Sequence, residues 1–268
     1  MTCLRAIAVI WHRDMLRLWR DRMRFMTSLV MPLLYLVVFG TGLSASLRGG
    51  FAIPGVDYMQ YIFPGVISMT LLTSGLMGAM SIVHDREFGF LKEVLVAPVP
   101  RPAVAVGKML GGVTQAVLQG TVILLLAPWA GVALSLPAIA QLLAMMVVLA
   151  FALVSLGLLI STCMQTMQGF QGLMNLLLMP MVFLSGAMFL LDGLPGWMTV
   201  LTRLNPAAYG IDALRRAALA GAGVPDGVVD RLAMHCLGGP LPVGVEAVML
   251  AAFGALMLGL AARRLAAL

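Results

Sequence analysis

The chain has 268 residues, of which 61% are hydrophobic and 10% charged, and its mean hydropathy is +1.02. That composition excludes a water-soluble domain, which has no use for so much apolar surface, and points to an integral membrane protein. Three cysteines, Cys3, Cys163 and Cys236, lie far apart without C-x-x-C spacing and indicate neither a zinc site nor a disulfide framework, and the net charge of +6 rests on seventeen basic residues.

Residues 1–24 read as an amphipathic helix. Leu4, Ile7, Ala8, Trp11, Met15 and Leu18 fall on one face, and Arg13, Arg17, Arg20 and Arg24 on the opposite one. This is the pattern of a helix lying in the headgroup boundary with its arginines towards anionic lipid. The segment is long for the basic region of a signal peptide, and no small-residue cleavage site follows the apolar run. That run, Phe25 to Leu43, is bounded by Arg24 and Arg48 and has the roughly 20 apolar residues that cross hydrocarbon. A second span lies between Asp57 and His84.

The stretch His84 to Pro102 packs six charged residues into nineteen positions. Within it Asp85 is expected to cap a short helix in which Phe88, Leu91 and Leu95 share a face, ended by Pro98, Pro100 and Pro102. Spacing alone leaves two readings of that stripe, an interfacial turn or a ball offered to a socket on another protein.

From Met109 to Leu191 no residue is charged over eighty-three positions, which fits three spans with turns at "APWAG" and "CMQTMQGFQG". Gln115, Gln119, Gln141 and Asn175 stand out among the few polar residues within the spans; amides in hydrocarbon serve as bonds between helices or line a substrate path. After the fifth span, Asn205 and Pro206 read as helix cap and first helical residue. A last run, Val243 to Ala262, ends at Arg263 and Arg264. The reading is one all-α, six-span domain over residues 1–268, with spans near 25–43, 59–83, 103–130, 138–162, 170–191 and 243–262. Twelve of the seventeen basic residues fall on one side if both termini are cytoplasmic, as basic loops require.

Two stretches resemble ABC-2 type transporter permeases. In "DREFGFLKEVLVAPVPR" the matching residues are Glu87, Gly89, Leu91, Leu95, Pro98 and Arg101; Phe90 departs from the small hydroxyl residue of many relatives. In residues 184–216 they are Gly186, Leu194, Pro195, Trp197, Asn205, Pro206, Tyr209, Asp212 and Arg215. "DYMQYIFPGVISM" also resembles the second-span entry of drug and lipid permeases. The resemblance implies that residues 84–98 form a coupling helix receiving force from a separate ATPase, with Glu87, Phe88, Gly89, Leu91 and Leu95 in that contact. It further implies short outer helices closing the exit around Pro195, Trp197, Asn205, Pro206, Tyr209, Asp212 and Arg215. Gln115, Gln119 and Asn175 are then candidates for the substrate path. A homodimer or heterodimer with two ATPase copies in a bacterial cytoplasmic membrane follows, exporting a drug-like or lipid-like molecule.

The chain has no G-x-x-x-x-G-K-[ST] loop, so ATP and magnesium belong to the partner, and no cofactor, metal or nucleic acid is expected here. An ion-coupled secondary transporter or channel is the alternative. Such proteins place ionisable groups at mid-membrane, and residues 109–191 hold none. A membrane enzyme would need a motif that His12, His84 and His235 do not form.

Overall fold

The computed structural model describes residues 3–46, 56–89, 100–132, 134–188, 195–236 and 239–267. Leu91, Leu95, Pro98 and Leu194 lie outside them. The order of elements is α1 (Cys3–Arg20), α2 (Arg22–Ser46), α3 (Tyr58–Gly78), α4 (Met80–Glu87), α5 (Arg101–Leu124), α6 (Leu136–Cys163) and α7 (Met167–Phe183). There follow α8 (Gly196–Leu204), α9 (Pro206–Gly221), α10 (Asp226–Leu232), a two-residue antiparallel pairing of β1 (His235–Cys236) with β2 (Gly239–Pro240), and α11 (Val243–Ala267). This is an all-α polytopic membrane protein.

Among the described residues, four helices are long and apolar enough to cross a membrane: Phe25–Leu43, Tyr58–Glu87, Leu136–Cys163 and Val243–Ala266. The other two expected spans correspond to α5, which has 24 residues and carries Lys108, Gln115 and Gln119, and α7, which has 17. Their ends differ from the sequence reading. The span expected to reach 130 is helical only to Leu124, and turns follow through 131. The span expected to reach 191 stops being helical at Phe183. Gly186 there has φ +73, a left-handed conformation open to glycine that turns the chain away.

At the centre lies α3, flanked by α2, α5, α6 and α9. Its Tyr61, Ile67, Leu71, Leu72 and Leu76 are fully buried. Lipid is as apolar as these side chains, so close packing, more than water expulsion, holds them. Small residues permit the approach. A Cβ on Gly157 would lie 2.9 Å from the Leu76 carbonyl oxygen, so α6 can touch α3 only because that position has none.

The same device operates between α1 and α5, where a Cβ on Gly107 would lie 2.9 Å from Cβ of Ile10. The face of α1 packed on α5 includes Ile7, Ile10 and Asp14, while Leu4 of the apolar stripe is 79% exposed to the surroundings of the protein. Trp11 donates from its indole nitrogen to Thr114 Oγ1 at 3.1 Å. The glycine groove of α5 and the ion pairs described below hold one side of the helix. Asp21 interrupts α1 and α2 only slightly, since its N–H still reaches the Arg17 carbonyl at 2.9 Å.

Candidate functional site

The junction of α1, α4 and α5 at the basic end buries two charged side chains, Asp85 and Lys108. Asp85, expected as a helix cap, lies inside α4 with a side chain 5% exposed. Its carboxylate is 3.0 Å from Lys108 Nζ, 3.2 Å from Arg13 Nη2 and 3.6 Å from Arg17 Nη1. Lys108, itself 3% exposed, also lies 3.4 Å from Asp14 Oδ1 and donates to Ser81 Oγ at 3.0 Å. Desolvating one charge costs several kcal/mol, so these groups persist inside only as a mutually satisfying cluster. Two of the arginines read as facing lipid, Arg13 and Arg17, therefore turn to Asp85.

The next two residues fasten α4 to the α6–α7 turn. Arg86 donates to the carbonyls of Thr162 and Met164 at 3.3 and 3.0 Å, meeting the free acceptors where α6 ends. Glu87 Oε2 accepts the Met167 N–H at 2.9 Å, a carboxylate at the start of α7, beside the Thr166 cap that accepts from Gly169. Helix α4 then stops. Phe88 is 69% exposed with its ring 4.5 Å from that of His84, and Gly89 takes φ +78, the left-handed residue that ends many helices.

A cavity of about 520 Å3 opens beside this cluster, walled by α1, α4, α5 and the start of α7. Gln115 lines it. Gln119 does not belong there: its Nε2 donates to Ser28 Oγ at 2.8 Å and its Oε1 accepts from Ser74, which ties α5 to α2 and α3. Asn175 sits exposed on α7. The three amides considered for one path are thus placed apart.

At the far end the structure gathers most of the residues marked by resemblance. Asn205 Oδ1 accepts the Ala207 N–H at 3.1 Å, as a cap should, and its Nδ2 donates to the Met181 carbonyl at 2.8 Å. Pro206 opens α9, which is buried against α6, α3 and α11. Tyr209 donates to the Arg203 carbonyl at 2.8 Å, and Asp212 accepts the Met234 N–H at 3.0 Å. Arg215 donates to the Gly186 carbonyl while its guanidinium lies 4.1 Å from the Tyr61 ring centroid. Pro195 and Trp197 remain outside this group, exposed at the start of α8.

Sequence reasoning missed three participants. Asp14 and Glu246 were not considered, Glu246 being fully buried near Asp212 and Arg216, and Lys108 was counted only among the cytoplasmic basic residues. A usable signal existed for Lys108: it stands seven residues after Arg101, two helical turns into α5, too far inside to be a boundary charge.

Long apolar helices packed on a shared buried helix, with the ion pairs among the described residues lying at the ends, define a multi-pass membrane protein. The ABC-2 type transporter family matches residues 5–219, and the chain belongs to that family. It is therefore the membrane subunit of an ABC transporter, a class that associates with an ABC ATPase subunit. The chain is 32% identical over 162 residues to the probable multidrug ABC transporter permease YbhR of Escherichia coli K12, a match covering 59% of this chain and 44% of that relative. It is 29% identical over 222 residues to the inner membrane transport permease YadH of the same organism, covering 78% of this chain and 81% of the relative.

Proposed function

We propose that this chain is the permease of an ATP-driven exporter in a bacterial cytoplasmic membrane. It has six spans and both termini in the cytoplasm, and it works as a dimer with two ATPase subunits that supply all the ATP chemistry. The cargo is a hydrophobic or amphipathic molecule, in keeping with the word multidrug in the name of one relative. The carrying observation is the fastening of α4. Asp85, Arg86 and Glu87 are each bonded to other elements, and directly after them Phe88 is 69% exposed. An aromatic ring held out from a fixed helix end suits a groove on a partner. In this reading Phe88 and Gly89, with Leu91 and Leu95 beyond, meet the ATPase, while Glu87 acts from behind by holding α7. At the outer end, Asn205, Pro206, Tyr209, Asp212 and Arg215 hold a closed gate, with Pro195 and Trp197 at its rim.

Co-purification with the ATPase tests this. Burying a Leu or Phe side chain contributes roughly 1.5–3 kcal/mol, so Phe88→Ala combined with Leu91→Ala is expected to weaken the complex on the order of a hundredfold or more, at about 1.4 kcal/mol per tenfold. Binding and substrate-stimulated hydrolysis equal to the parent would remove the loop from the interface.

A further inference from the structure

We propose that the carboxyls of Asp212 and Glu246 hold one proton between them, and that this proton joins α11 to α9 at the end remote from the basic cluster. Glu246 lies in the first turn of α11 and is fully buried. Asp212, on α9, is buried as well, and the two carboxyls are within hydrogen-bonding reach of each other. An ionised carboxylate only accepts hydrogen bonds, so two of them cannot bond and repel instead. A single proton turns that repulsion into an O–H···O bond, the solution reached by carboxyl pairs too close to ionise together.

The surroundings decide which residue carries the proton. Asp212 Oδ2 accepts the Met234 N–H at 3.0 Å and lies 3.7 Å from Arg216 Nη1, contacts that favour a carboxylate. Neither oxygen of Glu246 meets a hydrogen-bond donor among the described residues. The charged groups facing it are Asp212 and Arg216, both from α9. Helices α5 and α6 also pack on α11 and add none: α6 carries no charged residue, and the basic residues of α5 are Arg101, which donates to the Ala266 carbonyl at the opposite end of α11, and Lys108 in the basic cluster. Arg216 forms its ion pair with Asp212 and donates to the Leu241 carbonyl. Arg215 is turned to the Gly186 carbonyl and the Tyr61 ring. A buried carboxylate with no donor and no cation of its own is the costly form, so Glu246 keeps the proton and donates it to Asp212. A metal ion could also join two carboxylates, but among the described residues no third acidic, histidine or cysteine side chain gathers there, and hard cations take more ligands than two carboxyls supply. The proton therefore ties α11 to α9, and through Asp212 to Met234 before β1. Parting α9 from α11 takes away the acceptor of Glu246. Opening of the proposed outer gate would then release one proton, a consequence that rests on the export reading, whereas the proton site itself does not.

Infrared spectroscopy of the purified full chain in detergent at neutral pH reads the proton directly, because a protonated carboxyl has a C=O stretch separate from the carboxylate bands and shifted in heavy water. The difference between the parent and Glu246→Gln is expected to show one such band. The Gln amide keeps the side chain's shape and donates to Asp212 without needing a proton, so this variant should fold. Asp212→Asn should remove the same band, since Glu246 is then left with Arg216 and an amide donor and ionises. Asp230→Asn, at an exposed position of α10, should leave the band in place. Absence of the band from the parent, its survival in Glu246→Gln, or an equal loss in Asp230→Asn would each overturn the site. Survival in Asp212→Asn would show a proton that Glu246 holds alone, and would overturn the link between α11 and α9. Should Asp212→Asn disturb folding by weakening the Met234 contact, Glu246→Gln keeps the test decisive. None of these measurements involves the ATPase or transport, so their failure is distinct from a failure of the export reading.

Discussion

Replacing Asp85 by Asn removes one charge from the basic-end cluster while keeping the side chain's shape. The perturbation strands Lys108, whose side chain is 3% exposed and whose Nζ is 3.0 Å from the carboxylate. Breaking a buried ion pair by deleting one partner costs about 3–5 kcal/mol. Two features reduce that here. Lys108 keeps Asp14 at 3.4 Å and Ser81 at 3.0 Å, and Arg13 and Arg17, 30% and 49% exposed, can turn to water. A loss of about 2–3 kcal/mol remains. At roughly 2–4 °C per kcal/mol for chains of this order of size, thermal unfolding of the purified protein in a single detergent should fall by about 5–10 °C. Lys108→Met should cost a comparable amount, because it leaves Asp85 with the two more exposed arginines alone. The double variant decides the matter. With both charges gone, its loss should be smaller than the sum of the single losses, by about 0.5–3 kcal/mol. If the two substitutions add within about 0.5 kcal/mol and each shifts unfolding hardly at all, the groups are solvated and the reasoning about a buried cluster is wrong.

Other consequences are open to direct measurement. Gly107→Val places atoms where Ile10 Cβ would lie 2.9 Å away; overpacking of about 1–3 kcal/mol should lift α1 from α5, read as faster protease cleavage at Arg13 or Arg17 in membrane vesicles. Gln119→Leu removes the bridge to Ser28 and Ser74 and should lower stability by about 0.6–1.7 kcal/mol; an unchanged unfolding temperature would refute a bonding role. Asp212→Ala leaves the buried Met234 N–H without its acceptor and should cost about 1–3 kcal/mol. Glu246→Gln, which takes one of two neighbouring carboxylates out of a buried site, should be neutral or stabilising by the same unfolding measurement. A single cysteine introduced at Asp226, with the three native cysteines replaced, should react with an impermeant thiol reagent from outside intact cells. One at Lys92 should not, and labelling there would reverse the proposed topology.

The helical segments were legible because uncharged runs of about 20 residues have few other uses. The Asn205 cap was legible because Asn before Pro is a local signal that needs no knowledge of neighbours. What sequence alone did not yield depends on pairings across the fold. Asp85 looks like a cap when read with its neighbours, and becomes a buried ion-pair centre only because Lys108 and Arg13, 23 and 72 positions away, arrive beside it. Arg13 and Arg17 look like lipid-facing charges until Gly107 and Gly111 let α1 lie against α5. Gln115 and Gln119, one helical turn apart, looked equivalent, yet one lines a cavity and the other joins three helices.

Helices α3 and α4 connect the two polar ends. Together Tyr58–Glu87 make a run of 30 residues, about 45 Å at roughly 1.5 Å per residue, close to the full depth of a bilayer with its headgroups. Tyr61 near one end lies under the Arg215 guanidinium, and Asp85 near the other sits among Lys108, Arg13 and Arg17. Pro64 lies within α3, and the two helices meet at Ala79, which stays in the right-handed helical region at φ −71, ψ −12 and is 1% exposed. It is also held sideways, since a Cβ on Gly157 would lie 3.1 Å from that of Ala79. A rod fixed at its middle and clasped at both ends bends with difficulty, because dense packing favours discrete rearrangement over gradual deformation. Displacing Asp85 therefore requires one of two events: the ion cluster exchanges partners, or the rod moves whole and carries Tyr61 away from Arg215. The first event leaves the far end untouched, so under the proposed export function only the second would join a push on the segment after Glu87 to an opening at α9.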